Sequence, residues 1–471
     1  MAVFEGGILR IIKAPSAPSL LVGWRREGII SFLLLFSLSL ESVPLPLPFK
    51  AQIIPLTSIL AMLFLPFIFK RFTSTPLFKM VMLFTGFVLL QSLVALFIDV
   101  TFLNAGEVRV LAMARQVIAL MVGLSVFLVL RRTMGNISDR FIIYAIIAGA
   151  LPAISLALLN IIWGLTGNDI AGYIVVIARS PLKDAFTDPS RASGLSLEPS
   201  HFALYLATIV VPATLTALLT FKMRALWLIC LGAGLISFIW TWSTTGFVLL
   251  LSMMLAGALL GPRRGLFIVL IISSFVIAAP FVILFRDNYA IHQMLLLLSG
   301  NWSTSTIDRF YGAFGPFFMA FSSYTLLGYG LGGTATHFSE LVPEFAQAEI
   351  ASAHWTDMLN LGPLAGRLLA ETGLLGLILF ATIILVCFRE LGTVCRLSND
   401  NSHVTFLKFA RLGIITYLIG AGISGPGSFA LPYLWFWLAV VDARYMMTRE
   451  ILQKKGDALD DTQHLRSSSE L

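Results

Sequence analysis

Apolar runs of about 20 residues recur along almost the whole chain, and this feature most limits what the chain can fold into. A helical run of this length matches the thickness of the hydrocarbon core of a bilayer. Charged residues make up only 12% of the 471 residues, whereas a soluble domain carries about a quarter. The sequence therefore predicts an all-α polytopic membrane protein.

The apolar runs predict about 12 transmembrane helices, with both termini on one side of the membrane. The predicted spans are 29–43, 51–69, 79–98, 108–130, 141–163, 201–220, 225–242, 245–261, 265–285, 364–388, 405–423 and 428–447. Placing the N-terminus inside puts most of the 32 Lys and Arg residues in the termini and in short loops on that same side. This is the distribution expected of cytoplasmic loops beside anionic lipid.

The resulting organisation concentrates polar sequence in two external loops. In chain order it is a cytoplasmic N-terminus (1–28), helices one to five (29–163), an external loop (164–200), helices six to nine (201–285), a long external loop (286–363), helices ten to twelve (364–447) and a cytoplasmic tail (448–471). The net charge of +7 does not indicate nucleic-acid binding, because no solvated basic domain is present.

One apolar segment inside the long loop, 310–327, could also be counted as a span. If it crossed the membrane, the basic residues of 389–411 would move outside, against the charge bias. We therefore predict a re-entrant or interfacial helix that packs on the bundle.

The shorter external loop ends with Arg191, Glu198 and His201, just before a span. One interpretation is structural, since Glu198 and Ser200 are suited to begin a helix at Pro199. The other is an anion site, because a helix N-terminus beside an arginine attracts negative charge.

Other charged side chains also have two interpretations. Arg309 follows Asp308 and could form a solvated pair with it, but an anion on the external side has few other cations to meet. Arg115 lies inside a span, where an isolated cation is costly unless it faces protein or water, so we favour a role facing a cavity. Arg109 is expected to extend to the external surface.

Two further candidates lie near the end of the long loop. Glu371 is four residues after Arg367, so that an intrahelical pair is the structural alternative to a role in binding. His337 and His354 are loop histidines that could act as general bases at neutral pH.

Nothing in the sequence indicates a cofactor or a metal ion. Cys230, Cys387 and Cys395 lie in or beside apolar segments and form no disulfide pattern or Cys/His metal spacing. The segment GYGLGG (328–333) formally matches a dinucleotide fingerprint. It follows no predicted strand of a βαβ unit, so that a turn is the better interpretation.

Four motifs occur in a fixed order: RASGLSLEPSHFA (191–203), TWSTTGFVLLLSMM (241–254), SSYTLLGYGLGG (322–333) and LLAETGLLGLILF (368–380). Together with the number of spans and the long loop, they resemble the bacterial O-antigen and exopolysaccharide polymerases of the O-antigen polymerase and ligase superfamily. The resemblance covers most of the chain. The chain departs from the ligase branch at two positions. His354 is followed by Trp355, and STTG, at 243–246, contains no arginine.

The resemblance implies a metal-independent glycosyltransferase that polymerises undecaprenyl-diphosphate-linked repeat units at the outer face of the cytoplasmic (inner) membrane. Its partners would be the lipid-linked glycan, membrane lipid and a chain-length regulator. In this interpretation Glu198 activates the acceptor, with His354 as the substitute, and Arg191 and Arg309 hold diphosphate or glycan. Arg115 and Glu371 are further candidates for substrate binding.

Two alternatives remain open at the level of sequence. A ligase would transfer finished glycan to lipid A-core, and sequence separates it poorly from a polymerase. A transporter of lipid-linked oligosaccharide would concentrate polar residues near the bilayer midplane and show repeat symmetry, neither of which is visible.

Overall fold

The structure is a computed structural model of the chain. It describes residues 26–40, 55–68, 73–102, 106–180, 188–261, 263–265, 267–269, 271–273, 291–292, 295–296, 299–300, 302–319, 326–353, 362–423 and 428–469.

The described residues form helices joined by short connections, with no β-strand among them. The main helices are α1 (Arg26–Phe36), α2 (Leu56–Ile68), α3 (Pro76–Phe102), α4 (Gly106–Thr133), α5 (Asp139–Thr166), α6 (Asp169–Arg179), α7 (Pro199–Thr220), α8 (Arg224–Ile239), α9 (Thr244–Leu260), α10 (Thr304–Met319), α11 (Phe338–Leu341), α12 (Glu344–Ala353), α13 (Leu364–Leu397), α14 (Asn401–Ile423) and α15 (Pro432–Ser469). The prediction of an all-α membrane protein is confirmed at this level.

Within the described part of the chain, 6 helices have the length and apolarity to cross a membrane. They are α3, α4, α5, α7, α13 and α14. Helices α2, α8 and α9 are apolar but shorter. The predicted span at 265–285 lies mostly outside the described residues, so that the count of twelve stays a prediction.

Helix α7 carries a local π-helical turn at Leu206–Val210, just before Pro212. Pro212 has no N–H to donate to the carbonyl four residues earlier, which belongs to Thr208. That carbonyl instead accepts a hydrogen bond from the indole of Trp437 at 2.9 Å. The proline therefore creates the acceptor that ties α7 to α15.

A two-residue turn redirects the chain from α5 into α6. Gly167 ends α5 in the left-handed conformation, with φ of 67°, and Asn168 caps α6 by accepting the N–H of Ala171 at 3.0 Å. Helix α6 then packs against α5, where Gly172 meets the ring of Trp163. This orientation brings Arg179, its last residue, over the loop that precedes α7.

Helix α13 bends at Gly373, whose φ of 66° and ψ of −174° are not helical. A Cβ here would lie 2.4 Å from the carbonyl carbon of Leu327, so that only glycine fits. The opening admits the segment before the glycine-rich turn, and the N–H of Tyr329 donates to the carbonyl of Ala370 at 2.8 Å. The GYGLGG and ETGLLG motifs are thus packed against each other.

The predicted interfacial segment at 310–327 is helical in its first part, because α10 begins at Thr304 and continues to Met319. At 16 residues it rises about 24 Å, which is less than the hydrocarbon thickness. It packs closely on α13, where a Cβ on Gly366 would lie 1.9 Å from the carbonyl oxygen of Gly312. The segment 448–471, predicted as a cytoplasmic tail, continues α15 as far as Ser469.

Several connections between helices lie at one end of the bundle, which we call the site end. It contains the connections between α3 and α4, between α5 and α7, and between α8 and α9, together with α10 and the N-terminus of α13. At the opposite end, Asp139 accepts one hydrogen bond from Arg444 at 2.8 Å and pairs with His403.

Candidate functional site

The loop at 188–198 is held by two buried side chains. The amide nitrogen of Asn160 donates to the carbonyls of Asp188 and Arg191, at 3.2 and 3.1 Å. The guanidinium of Arg179 donates to the carbonyls of Ser196 and Leu197, at 3.0 and 3.2 Å, and to the hydroxyl of Ser193. These bonds fix the loop at several points before α7 begins.

Arg179 is a positioning residue, because only 2% of it is exposed and its partners are groups of this loop. Burial lowers the pKa of Arg179 to about 10. At neutral pH the side chain therefore keeps its positive charge, which lies next to the loop that carries Arg191 and Glu198.

Arg191 joins this loop to the turn between α8 and α9. Its Nε donates to the carbonyl of Thr241 at 3.3 Å, and the neighbouring N–H of Ala192 donates to the carbonyl of Trp240 at 2.9 Å. The first two motifs of the sequence, RASGLSLEPSHFA and TWSTTG, are therefore in direct contact. Arg191 is half-buried in this position.

Arg309 reaches the same turn from α10. Its guanidinium donates to the hydroxyl of Thr244, the first residue of α9. Thr241 and Thr244 are three residues apart, so that one short turn receives a guanidinium from each of two distant parts of the chain. We call Arg191 and Arg309 the arginine cluster.

Glu198 lies in the same loop as Arg191, directly after Leu197, whose carbonyl Arg179 binds, and it is exposed. It occupies the position before Pro199, the first residue of α7, as the sequence predicts. Its side chain makes no capping hydrogen bond but accepts one from the hydroxyl of Ser200 at 3.2 Å. An exposed carboxylate near fixed guanidinium groups can take a proton from a ligand whose anionic part the cations hold.

A second buried network lies at the connection between α3 and α4. Arg109 pairs with Asp99 at 2.6 Å and donates to the carbonyls of Tyr329 and Leu331, both at 2.8 Å. The expectation that Arg109 extends to the surface is wrong, since its side chain is 0% exposed. The backbone carbonyls of the glycine-rich turn satisfy a cation that would otherwise need water.

His337 extends this network towards solvent. Its two ring nitrogens lie 3.1 Å from carboxylate oxygens of Asp99 and Glu340. The ring stacks on Tyr329 with centroids 4.1 Å apart, and the hydroxyl of Tyr329 donates to Glu340 at 2.6 Å. His337 is buried rather than displayed on a loop, and it couples the glycine-rich turn to α3.

Glu371 belongs to the same network. It is fully buried, accepts the N–H of Gly332 at 3.2 Å and lies 3.5 Å from Arg367. The intrahelical pair considered in the sequence analysis is thus present. In this structure the carboxylate holds the glycine-rich turn against α13.

Two candidates from the sequence remain, Arg115 and His354. Arg115 lies half-buried on α4, three residues after Ala112, whose carbonyl group is approached by Gly332. Arg115 therefore lies about one helical turn from the contact between α4 and the glycine-rich turn. His354 lies outside the described residues.

Sequence reasoning missed several residues that hold this site. Arg179, Asp99, Thr241 and Thr244 were not singled out. A possible signal was the polar TWST segment between two apolar runs. No signal joined Asp99 to Arg109, because a helix end and a connection separate them in the chain.

No protein-family model and no curated protein matches the chain. Its own geometry therefore carries the functional argument. The described site end offers two guanidinium groups on one turn, an exposed carboxylate in the loop that carries one of them, and a bundle of apolar helices.

Proposed function

We propose that the protein is a membrane glycosyltransferase that polymerises undecaprenyl-diphosphate-linked oligosaccharide repeat units into O-antigen or exopolysaccharide. The observation that carries the proposal is the arrival of Arg191 and Arg309 at one turn. Two guanidinium groups at one place suit a diphosphate, whose charge they can bind with several hydrogen bonds. The four motifs of the sequence support the same assignment.

In the proposed reaction, a hydroxyl of one glycan attacks the anomeric carbon of another glycan that is linked to the lipid diphosphate. The new C–O bond forms as the bond from that carbon to the diphosphate oxygen breaks. Glu198 accepts the proton of the attacking hydroxyl. Arg191 and Arg309 stabilise the negative charge that remains on the undecaprenyl diphosphate.

The location of the reaction follows from the orientation proposed for the bundle. The charge bias of the loops supports an orientation with the site end outside the bacterial inner membrane and both termini inside. A lipid diphosphate is the activated donor there, because nucleotide sugars are cytoplasmic. The apolar helices give its polyprenyl chain a place beside the site, within the bilayer.

Other residues have secondary roles in the proposal. Arg115 is a cation for the lipid-linked substrate at the level of the membrane, and His354 is the substitute base. Glu371 acts through the glycine-rich turn, since its carboxylate is already bonded to Gly332. A chain-length regulator is the proposed protein partner.

The test is a reaction of the purified protein in liposomes with a lipid-diphosphate-linked repeat unit, followed by sizing of the glycan. A ladder of products formed without nucleotide is the expected result. Transfer that occurs only after addition of lipid A-core would assign a ligase instead. Movement of intact substrate across the membrane without any new glycosidic bond would assign a transporter.

A further inference from the structure

A cavity of about 610 Å³, widely open to the surface, lies at the site end beside α10 and α12. Among the residues that line it are Trp302, Ser303, Ile307, Tyr311 and Phe345. Its volume lies in the range of cavities that bind small molecules, about 300–1,000 Å³. None of the described residues that line it is charged.

The aromatic rings of this cavity face different directions. Trp302 and Tyr311 have centroids 6.3 Å apart and planes at 43°, whereas Tyr311 and Phe345 are 5.1 Å apart and nearly perpendicular at 87°. Flat aromatic surfaces at an angle bind the C–H faces of a ring-shaped ligand. The hydroxyls of Ser303 and Tyr311 add polar groups for its rim.

Helix α10 separates the cavity from the arginine cluster. Ile307 and Tyr311 are four residues apart and lie on one helical face, which lines the cavity. Arg309, two residues from each, lies on another face and bonds to Thr244. One helix thus presents a cation on one face and aromatic surface on another.

We infer that this cavity is a saccharide subsite, occupied by a sugar unit of the glycan at a distance from the diphosphate. The inference rests on the proposed function, because it places the sugar part of the substrate whose anionic part the arginine cluster binds. An uncharged aromatic lining suits a neutral pyranose and gives a diphosphate no partner. Hydroxyl groups beside the rings favour a sugar over an acyl chain.

The test measures binding of sugar directly, apart from turnover. The probe is the soluble oligosaccharide released by mild acid from lipid-linked repeat units, added to the protein in nanodiscs free of glycoside detergent. Saturation-transfer NMR then gives the affinity. We expect the variants Tyr311→Ala and Phe345→Ala to bind the probe about tenfold more weakly than the parent protein, which corresponds to loss of an aromatic contact.

Matched variants separate a binding role from a folding role. Phe345 is 68% exposed, so that its truncation leaves the fold intact, and Tyr311→Phe keeps the ring and is expected to keep most of the affinity. Tyr173 on α6 is equally exposed, at 68%, and lies outside the lining, so that Tyr173→Ala serves as the control. Affinity unchanged in both Phe345→Ala and Tyr311→Ala would overturn the inference.

Two further outcomes distinguish the subsite from the proposed reaction. In one outcome, the parent protein binds no saccharide but binds a C12 fatty alcohol, and that binding is lost in Phe345→Ala. This result would make the cavity a lipid site and overturn the inference. A product ladder without any saccharide binding at these residues would overturn the subsite alone. Saccharide binding that depends on Phe345, without a ladder, would support the subsite and contradict the polymerase.

Discussion

Arg109 and Asp99 form a buried ion pair, 2.6 Å from Nε to Oδ2, across the connection between α3 and α4. The same guanidinium binds two carbonyls of the glycine-rich turn more than 200 residues later in the chain. One side chain therefore joins the first helices of the bundle to the segment that leads into α13. A buried pair of this kind matters most when one partner is removed, because the other charge is left without compensation.

The first prediction concerns this pair. Arg109→Ala is expected to lower the free energy of unfolding by about 3–5 kcal/mol, since the buried Asp99 would keep only His337 as a partner and the carbonyls of Tyr329 and Leu331 would lose their donor. The measurement is unfolding of the purified protein by titration with sodium dodecyl sulfate. Arg389→Ala, at an exposed position, is the control and is expected to change the free energy by less than about 0.5 kcal/mol. Equal effects of the two substitutions would contradict the role given to Arg109.

The second prediction compares two glycines with similar backbone angles. Gly332 and Gly300 have φ of 73° and 80°, so that alanine is strained at both, by roughly 1–2 kcal/mol. A Cβ on Gly332 would also lie 2.5 Å from the backbone of Ala112, whereas a Cβ on Gly300 meets nothing within 4 Å. Gly332→Ala is therefore expected to lower the thermal midpoint clearly more than Gly300→Ala. Equal midpoints would show that the turn does not pack on α4 as described.

The helices could be predicted from sequence, but the contacts between their ends could not. Apolar runs located α3, α5 and α14 within a few residues, because bilayer thickness and helical rise fix their length. Asp99, Arg109 and Leu331 carry no such signal, because a cation bonded to backbone carbonyls leaves no pattern in the side chains. For that reason the sequence alone predicts Arg109 at the surface.

The site was predicted unevenly for the same reason. Arg191, Glu198 and Arg309 stood out as charges in polar loops, and the start of α7 at Pro199 followed from capping chemistry. Their meeting at one turn depends on a carbonyl of Thr241 and a hydroxyl of Thr244, residues that look ordinary in the chain. Long-range packing alone brings them together.

The third prediction concerns Arg179, which holds the loop without taking part in the reaction. Arg179→Ala is expected to slow glycan polymerisation by about 100-fold, because a small displacement of the loop misplaces Arg191 and Glu198. It should also expose the loop to trypsin, with cleavage after Arg191 detected by mass spectrometry. Arg179→Lys, which keeps a charge but loses the planar set of donors, is expected to restore only part of both properties. Slower polymerisation without new cleavage would contradict a positioning role.

The fourth prediction concerns the proposed base. Glu198→Gln is expected to lower kcat by about 10²–10⁴-fold, since an amide cannot accept the proton of the attacking hydroxyl. Binding of the lipid diphosphate should stay within about twofold of the parent protein, because the arginine cluster is unchanged. Ser200→Ala is the neighbouring control, as it removes only the hydroxyl that donates to Glu198. A variant with normal kcat would remove Glu198 from the reaction.

The most direct test of the central claim is the rate of glycan elongation by variants at the shared turn. Arg191→Ala and Arg309→Ala are each expected to reduce the rate by about 100-fold or more, through loss of charge stabilisation at the diphosphate. The double variant should lose less than the product of the two effects, because both guanidinium groups serve one ligand. Arg389→Ala is the control for loss of a cation elsewhere. A full-length ladder at the parental rate from either single variant, in protein that is folded and inserted, would contradict a diphosphate site formed by Arg191 and Arg309.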